Sequence, residues 1–97
     1  MKSNYPILLV DDEEIILATV GRDLKNEGFD VTLCNSGMEA IKQLQEINYD
    51  VILTDLMMEG VGGLDVLKRA KEINPDIMVI VITGFGSLAS AIEALRL

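Results

Sequence analysis

Three aspartates stand where two apolar runs stop. Asp11 and Asp12 follow Ile7-Leu8-Leu9-Val10, and Asp55 follows Val51-Ile52-Leu53-Thr54. If the two runs are neighbouring strands of a parallel sheet, their carboxylates meet on one rim. Two carboxylates about 4 Å apart repel by roughly 4 kcal/mol at an effective dielectric near 20, so such a trio raises a pKa or recruits a cation. An all-oxygen donor set suits a hard ion. Mg²⁺ fits best, because it accepts one or two carboxylates and fills its other octahedral positions with water or phosphate oxygens.

Other chemistry is excluded by what the chain lacks. It has no histidine, so an imidazole that carries a phosphoryl group or binds a metal must come from a partner. One cysteine, Cys34, forbids an intramolecular disulfide and reads as a small buried hydrophobe. Met57 and Met58 are soft donors beside carboxylates, and Met58 reads as core packing. The net charge of −8 argues against a nucleic-acid surface. No apolar run approaches the length of a bilayer span, and residues 1–5 lack a signal core, which points to a cytoplasmic protein.

The elements that must position the aspartates are legible as an alternation of short apolar runs with helix-period segments, the signature of βαβ units. Strands are expected near 5–10, 30–34, 49–54 and 77–82, the last through the β-branched run Val79-Ile80-Val81-Ile82. Ile16, Leu17, Val20 and Leu24 mark one face of a first helix ended by Gly28. Ser36 and Glu39 form a capping box for a second, with Ala40, Ile41, Leu44 and Ile47 inward. Leu67, Ala70 and Ile73 carry a third, stopped at Asn74-Pro75, and Leu88, Ala91, Ile92 and Leu95 a fourth. Right-handed crossovers and a switch point at strand 1 give a sheet of order 2-1-3-4, with strands 1 and 3 side by side. At 97 residues, with 49% hydrophobic residues, the chain is one small domain over 1–97.

The ordered set of Ile7-Leu8-Leu9-Val10-Asp11-Asp12-Glu13, Asp55-Leu56-Met57-Met58, Gly63-Leu64 and Val81-Ile82-Thr83-Gly84 resembles the receiver domain of bacterial two-component response regulators. The resemblance runs along the whole chain and implies a flavodoxin-like, three-layer α/β fold. It implies Asp55 as phosphoacceptor, attacking a phosphohistidine on a sensor histidine kinase, with Mg²⁺ bound by Asp12 directly and by Asp11 largely through water. The backbone carbonyl of Met57 would be a further ligand, and Thr83 the switch residue whose hydroxyl reaches the phosphoryl group. Gly84 would leave room for an incoming imidazole, and Gly84 with Gly86 would let the following loop move. Thr83-Gly84-Phe85-Gly86-Ser87 is similar to receivers of sigma-54-dependent (NtrC-like) activators, so control of transcription through an output domain is implied. Such a domain catalyses its own phosphorylation and dephosphorylation and turns over no metabolite.

Other readings of these residues are plainer. Asp12 as a helix cap would contribute about 1 kcal/mol, and Glu13 reads as part of the first helical turn. A metal-dependent phosphohydrolase with an aspartyl-phosphate intermediate would place two aspartates two apart after one strand, whereas Asp11 and Asp12 are adjacent. An inert pseudo-receiver would not need the aspartates. The family's fifth strand, with its lysine and aromatic residue, and its fifth helix have no counterpart here, and Lys42, Lys68 and Lys71 fall in helices unsuited to the lysine's role. The chain reads as a receiver cut off around its fourth helix, with strand 4 an open edge expected to drive self-association. Glu59 stands where most relatives have proline.

Overall fold

In the computed structural model, residues 6–55 and 60–82 are described. Strands β1 (Pro6–Val10), β2 (Asp30–Cys34), β3 (Val51–Thr54) and β4 (Met78–Val81) alternate with helices α1 (Glu14–Asn26), α2 (Gly37–Glu46) and α3 (Gly63–Ile73). All pairings are parallel and the order is β2-β1-β3-β4, the order expected from right-handed crossovers with a switch point at β1. The expected fourth helix lies outside the described residues.

Alternation along β1 divides the core between the two faces of the sheet. Ile7 and Leu9 pack with Leu17, Val20 and Leu24 of α1, and Leu53 of β3 joins them. Leu8 and Val10 face the other way, onto Ala40 and Leu44 of α2 and Val66 and Ala70 of α3. Because both faces are covered, residues 7 to 10 are fully buried, which is why that run is continuously apolar. Each such side chain contributes about 1.5–3 kcal/mol by leaving water.

Local signals account for the end of α1 and the start of α2. Gly28 adopts φ +94°, its N–H donates to Lys25 O at 3.0 Å and that of Phe29 to Leu24 O at 3.1 Å, a paired C-terminal cap closed by contact of Phe29 with Leu24. Ser36 Oγ accepts the N–H of Glu39 at 3.2 Å, the serine half of the expected capping box.

Three expectations need correction. Ile47 does not face inward: it caps α2 with extended backbone and is 45% exposed, because the chain has left the helix before its side chain can turn to the sheet. In α3 the buried stripe runs through Val66 and Ala70, leaving Leu67 half-buried and Ile73 on the surface, since the helix begins at Gly63 and sets its phase from there. Strand β3 begins at Val51, two residues later than expected; Asp50 already donates its N–H to Pro6 O at 3.2 Å, and Tyr49 is buried ahead of it. Among the described residues no helix is long and apolar enough to cross a membrane.

Candidate metal and phosphoacceptor site

Pairing of β1 with β3 sets the site. Val10 lies opposite Thr54, so Asp11 and Asp55 leave their strands side by side at the carboxyl rim. Asp11 is held twice by backbone: its N–H donates to Cys34 O at 3.1 Å, and its Oδ1 accepts the N–H of Glu13 at 2.9 Å. It is buried, Asp12 is exposed and Asp55 lies between these extremes. One carboxylate oxygen from each of the three lies within 4.8 Å of the others, as the sequence reading requires.

Electrostatics marks the cost of this gathering. Burial pushes the Asp11 carboxyl above its ordinary value, the bond from Glu13 N–H opposes that rise, and the charges of Asp55, Asp12 and Glu13 add to it. A divalent cation would reverse the balance by favouring the ionised form. The donors suit it: oxygens around Mg²⁺ sit at about 2 Å from the ion and so roughly 3–4 Å from one another, within a small side-chain rotation of the arrangement seen. Cys34, the soft donor nearest in sequence pairing, is buried with its thiol pushed up to about 11, chiefly by burial, so it does not compete as a thiolate.

The helix-cap reading of Asp12 is displaced by one residue. Glu13 occupies the cap of α1, without a side-chain bond to the helix, and Glu14 opens the first turn, so Glu13 precedes that turn as well. Lys71 lies at the other rim, where its Nζ donates to Ile77 O at 2.6 Å and Pro75 O at 3.3 Å. Met57, Met58, Glu59, Thr83, Gly84 and Gly86 lie outside the described residues.

One residue of the site escaped the sequence reading. Thr54 is fully buried, and its Oγ1 donates to the backbone carbonyl of Asp55 at 3.1 Å. A lone hydroxyl closing the run Val51-Ile52-Leu53 just before Asp55 was the available signal.

Comparison with known proteins agrees with this fold. The family model of the response regulator receiver domain matches residues 7–97. Transcriptional regulatory protein ZraR of Escherichia coli is 37% identical over 93 residues, 96% of this chain and 21% of that protein, so the chain spans about a fifth of that relative's length. Response regulator receiver protein CpdR of Brucella abortus is 35% identical over 83 residues, 86% of this chain and 69% of that one. A receiver domain protein from Clostridium thermocellum superposes with a TM-score of 0.77 at 35% identity, covering 95% of this chain and 75% of that chain.

Proposed function

The chain belongs to the response regulator receiver family, and from that premise we propose that it is a phosphorylation switch whose acceptor is Asp55 and whose cation is Mg²⁺. The observation that carries the reading is the convergence of Asp11, Asp12 and Asp55, one oxygen of each within 4.8 Å of the others.

In this mechanism an Asp55 carboxylate oxygen attacks the phosphorus of a phosphohistidine on a sensor kinase. A P–O bond forms, the P–N bond breaks, and the imidazole leaves with its electron pair. A carboxylate oxygen can act as the nucleophile itself, with no hydroxyl or thiol proton to be removed by a general base. Asp11, fixed by the Glu13 N–H, and Asp12, at the mouth of the site, would hold Mg²⁺ with Asp55 and the Met57 carbonyl. Bound there, the ion neutralises charge growing on the phosphoryl oxygens. The Thr83 hydroxyl would then donate to a phosphoryl oxygen and carry the change of state outward.

The name of the E. coli relative supports an output in transcription, delivered by a domain beyond the receiver in the parent protein. The outer edge of β4, unpaired among the described residues, would accept a strand from a second copy. A clean monomer in sedimentation at micromolar concentration would count against that pairing.

The test of the main reading is incubation with Mg²⁺ and a small phosphodonor. It should add one phosphoryl mass on Asp55, slowly because the lysine expected of the family has no counterpart in this sequence, and none in Asp55→Asn or in excess chelator. No adduct from a chain that binds Mg²⁺ would favour the inert module.

A further inference from the structure

Among the described residues the three most exposed large apolar side chains are Met38, Leu64 and Ile15, at 72%, 70% and 69%, and none of the others exceeds 49%. Each is the second residue of its helix, α2, α3 and α1 respectively. Because each helix follows a strand of a parallel sheet, all three start at the carboxyl rim, where Asp11, Asp12 and Asp55 gather. Gly37 meets Val61 there, a Cβ added to it standing 3.0 Å from the Val61 Cβ, so α2 and α3 start side by side. Single exposed hydrophobes are ordinary, but three at one helical position around one rim are not scattered.

The same rim is acidic. Residues 11 to 14 are consecutive acids, Asp55 joins them, and Glu39 and Asp65 follow Met38 and Leu64 in the first turns of α2 and α3. No lysine or arginine among the described residues shares this end: Lys42 and Lys68 are the sixth residues of their helices, and Arg22 lies further still along α1. First-turn acids serve the helices themselves by meeting their positive ends. Their apolar neighbours serve no such purpose, since they face water and leave the two cores to other residues.

We propose that this rim, with Met38, Glu39, Leu64 and Asp65 of α2 and α3 as working parts, is a docking face for a surface whose phosphohistidine is set among apolar side chains and ringed by lysine or arginine. The inference rests on the phosphoacceptor reading of Asp55 and adds the chemistry of the partner. The chain supplies no histidine, so the donor must come down on this rim to reach Asp55. Contact there covers Ile15, Met38 and Leu64, which form the apolar centre of the interface. The acids between them attract cations during approach, and charges so placed act chiefly on the rate of association. The same charges turn away an acidic surface.

The experiment uses two synthetic amphipathic helical peptides with one central phosphohistidine between leucines, one peptide flanked by lysines and the other by glutamates. Transfer to Asp55 in the presence of Mg²⁺ is followed by mass, and phosphoramidate serves as a donor that needs no docking. The lysine peptide should transfer at least about tenfold faster at low salt, with the gap closing in molar salt. Glu39→Gln with Asp65→Asn should slow the lysine peptide and narrow the gap. Met38→Ser with Leu64→Ser should slow both peptides severalfold and keep the gap. Neither pair belongs to the aspartate cluster, so labelling by phosphoramidate should hold at the wild-type rate and show that the variants are folded. If a pair loses that labelling, Glu39→Gln or Met38→Ser alone decides in its place. Equal rates for the two peptides overturn the proposal, as does wild-type behaviour in either pair, or no transfer from either peptide to a chain that phosphoramidate labels. A chain that phosphoramidate cannot label overturns the reading of Asp55 and the proposal with it, a result distinct from equal peptide rates.

Discussion

The backbone N–H of Asp55 donates to the carbonyl of Val10 at 3.2 Å, so the peptide entering Asp55 and the peptide entering Asp11 are stitched together. The backbones that carry the two carboxylates therefore cannot separate without breaking the sheet end. Their repulsion is built in, and Asp55 is the largest of the charges that raise the Asp11 carboxyl.

Removing that repulsion should stabilise the metal-free protein. Full charges within this spacing interact by about 3.5 kcal/mol or more at an effective dielectric near 20, and solvent at the partly exposed Asp55 screens much of it. Asp55→Asn is expected to gain on the order of 1 kcal/mol in urea unfolding without Mg²⁺, with an unchanged slope. A loss of stability would show that Asp55 is held by favourable contacts outweighing the repulsion.

The pH dependence follows from the raised Asp11 carboxyl. A carboxylate with a higher pKa folded than unfolded binds more protons in the folded state, so its contribution is favourable below the unfolded value near 3.8 and is lost as pH rises through the folded value. Without metal, this group makes the protein less stable at neutral pH than in mild acid. Urea midpoints from pH 4 to pH 7 should show that component, and Asp11→Asn should remove it. Mg²⁺ at about a hundred times its dissociation constant should add about 2.7 kcal/mol at neutral pH and fade as protons compete.

Sequence was most informative where one residue type has one physical use. The runs before Asp11 and Asp55 read as strands buried on both faces, Gly28 as the residue suited to a positive φ at the end of the first helix, and right-handed crossovers with a switch point at strand 1 gave the order that puts the aspartates together. It was least informative where three-dimensional phase decides. Whether Val66 or Leu67 meets the sheet depends on where α3 begins, and neither turn residues nor periodicity marks Gly63 as that place. The Gly37 contact with Val61 joins residues from different connections, and no local pattern announces it.

Gly28 offers a clean measure of backbone cost. Nothing lies within 4 Å of a Cβ built there, so Gly28→Ala meets no neighbour and pays only for φ +94°. The expected loss is about 1–2 kcal/mol, seen as a lower urea midpoint with Mg²⁺ affinity unchanged. Gly28→Asn should lose less, since asparagine tolerates that region better than alanine.

Thr54 separates stability from site geometry. Its methyl and hydroxyl are both buried, and the hydroxyl is spent on the carbonyl of Asp55 rather than on a distant partner. Thr54→Val keeps the volume and removes the donor, which should cost about 0.5–1.5 kcal/mol, the net contribution of a part-buried hydrogen bond. Thr54→Ser keeps the donor and loses the methyl, at a cost of about 1 kcal/mol. The two variants should thus be similar in urea and different at the site. Valine removes the hydroxyl's bond to the Asp55 carbonyl and should weaken Mg²⁺ binding and phosphoryl acceptance, whereas serine should preserve both. Equal Mg²⁺ affinity in the two variants would show that the hydroxyl serves the fold alone.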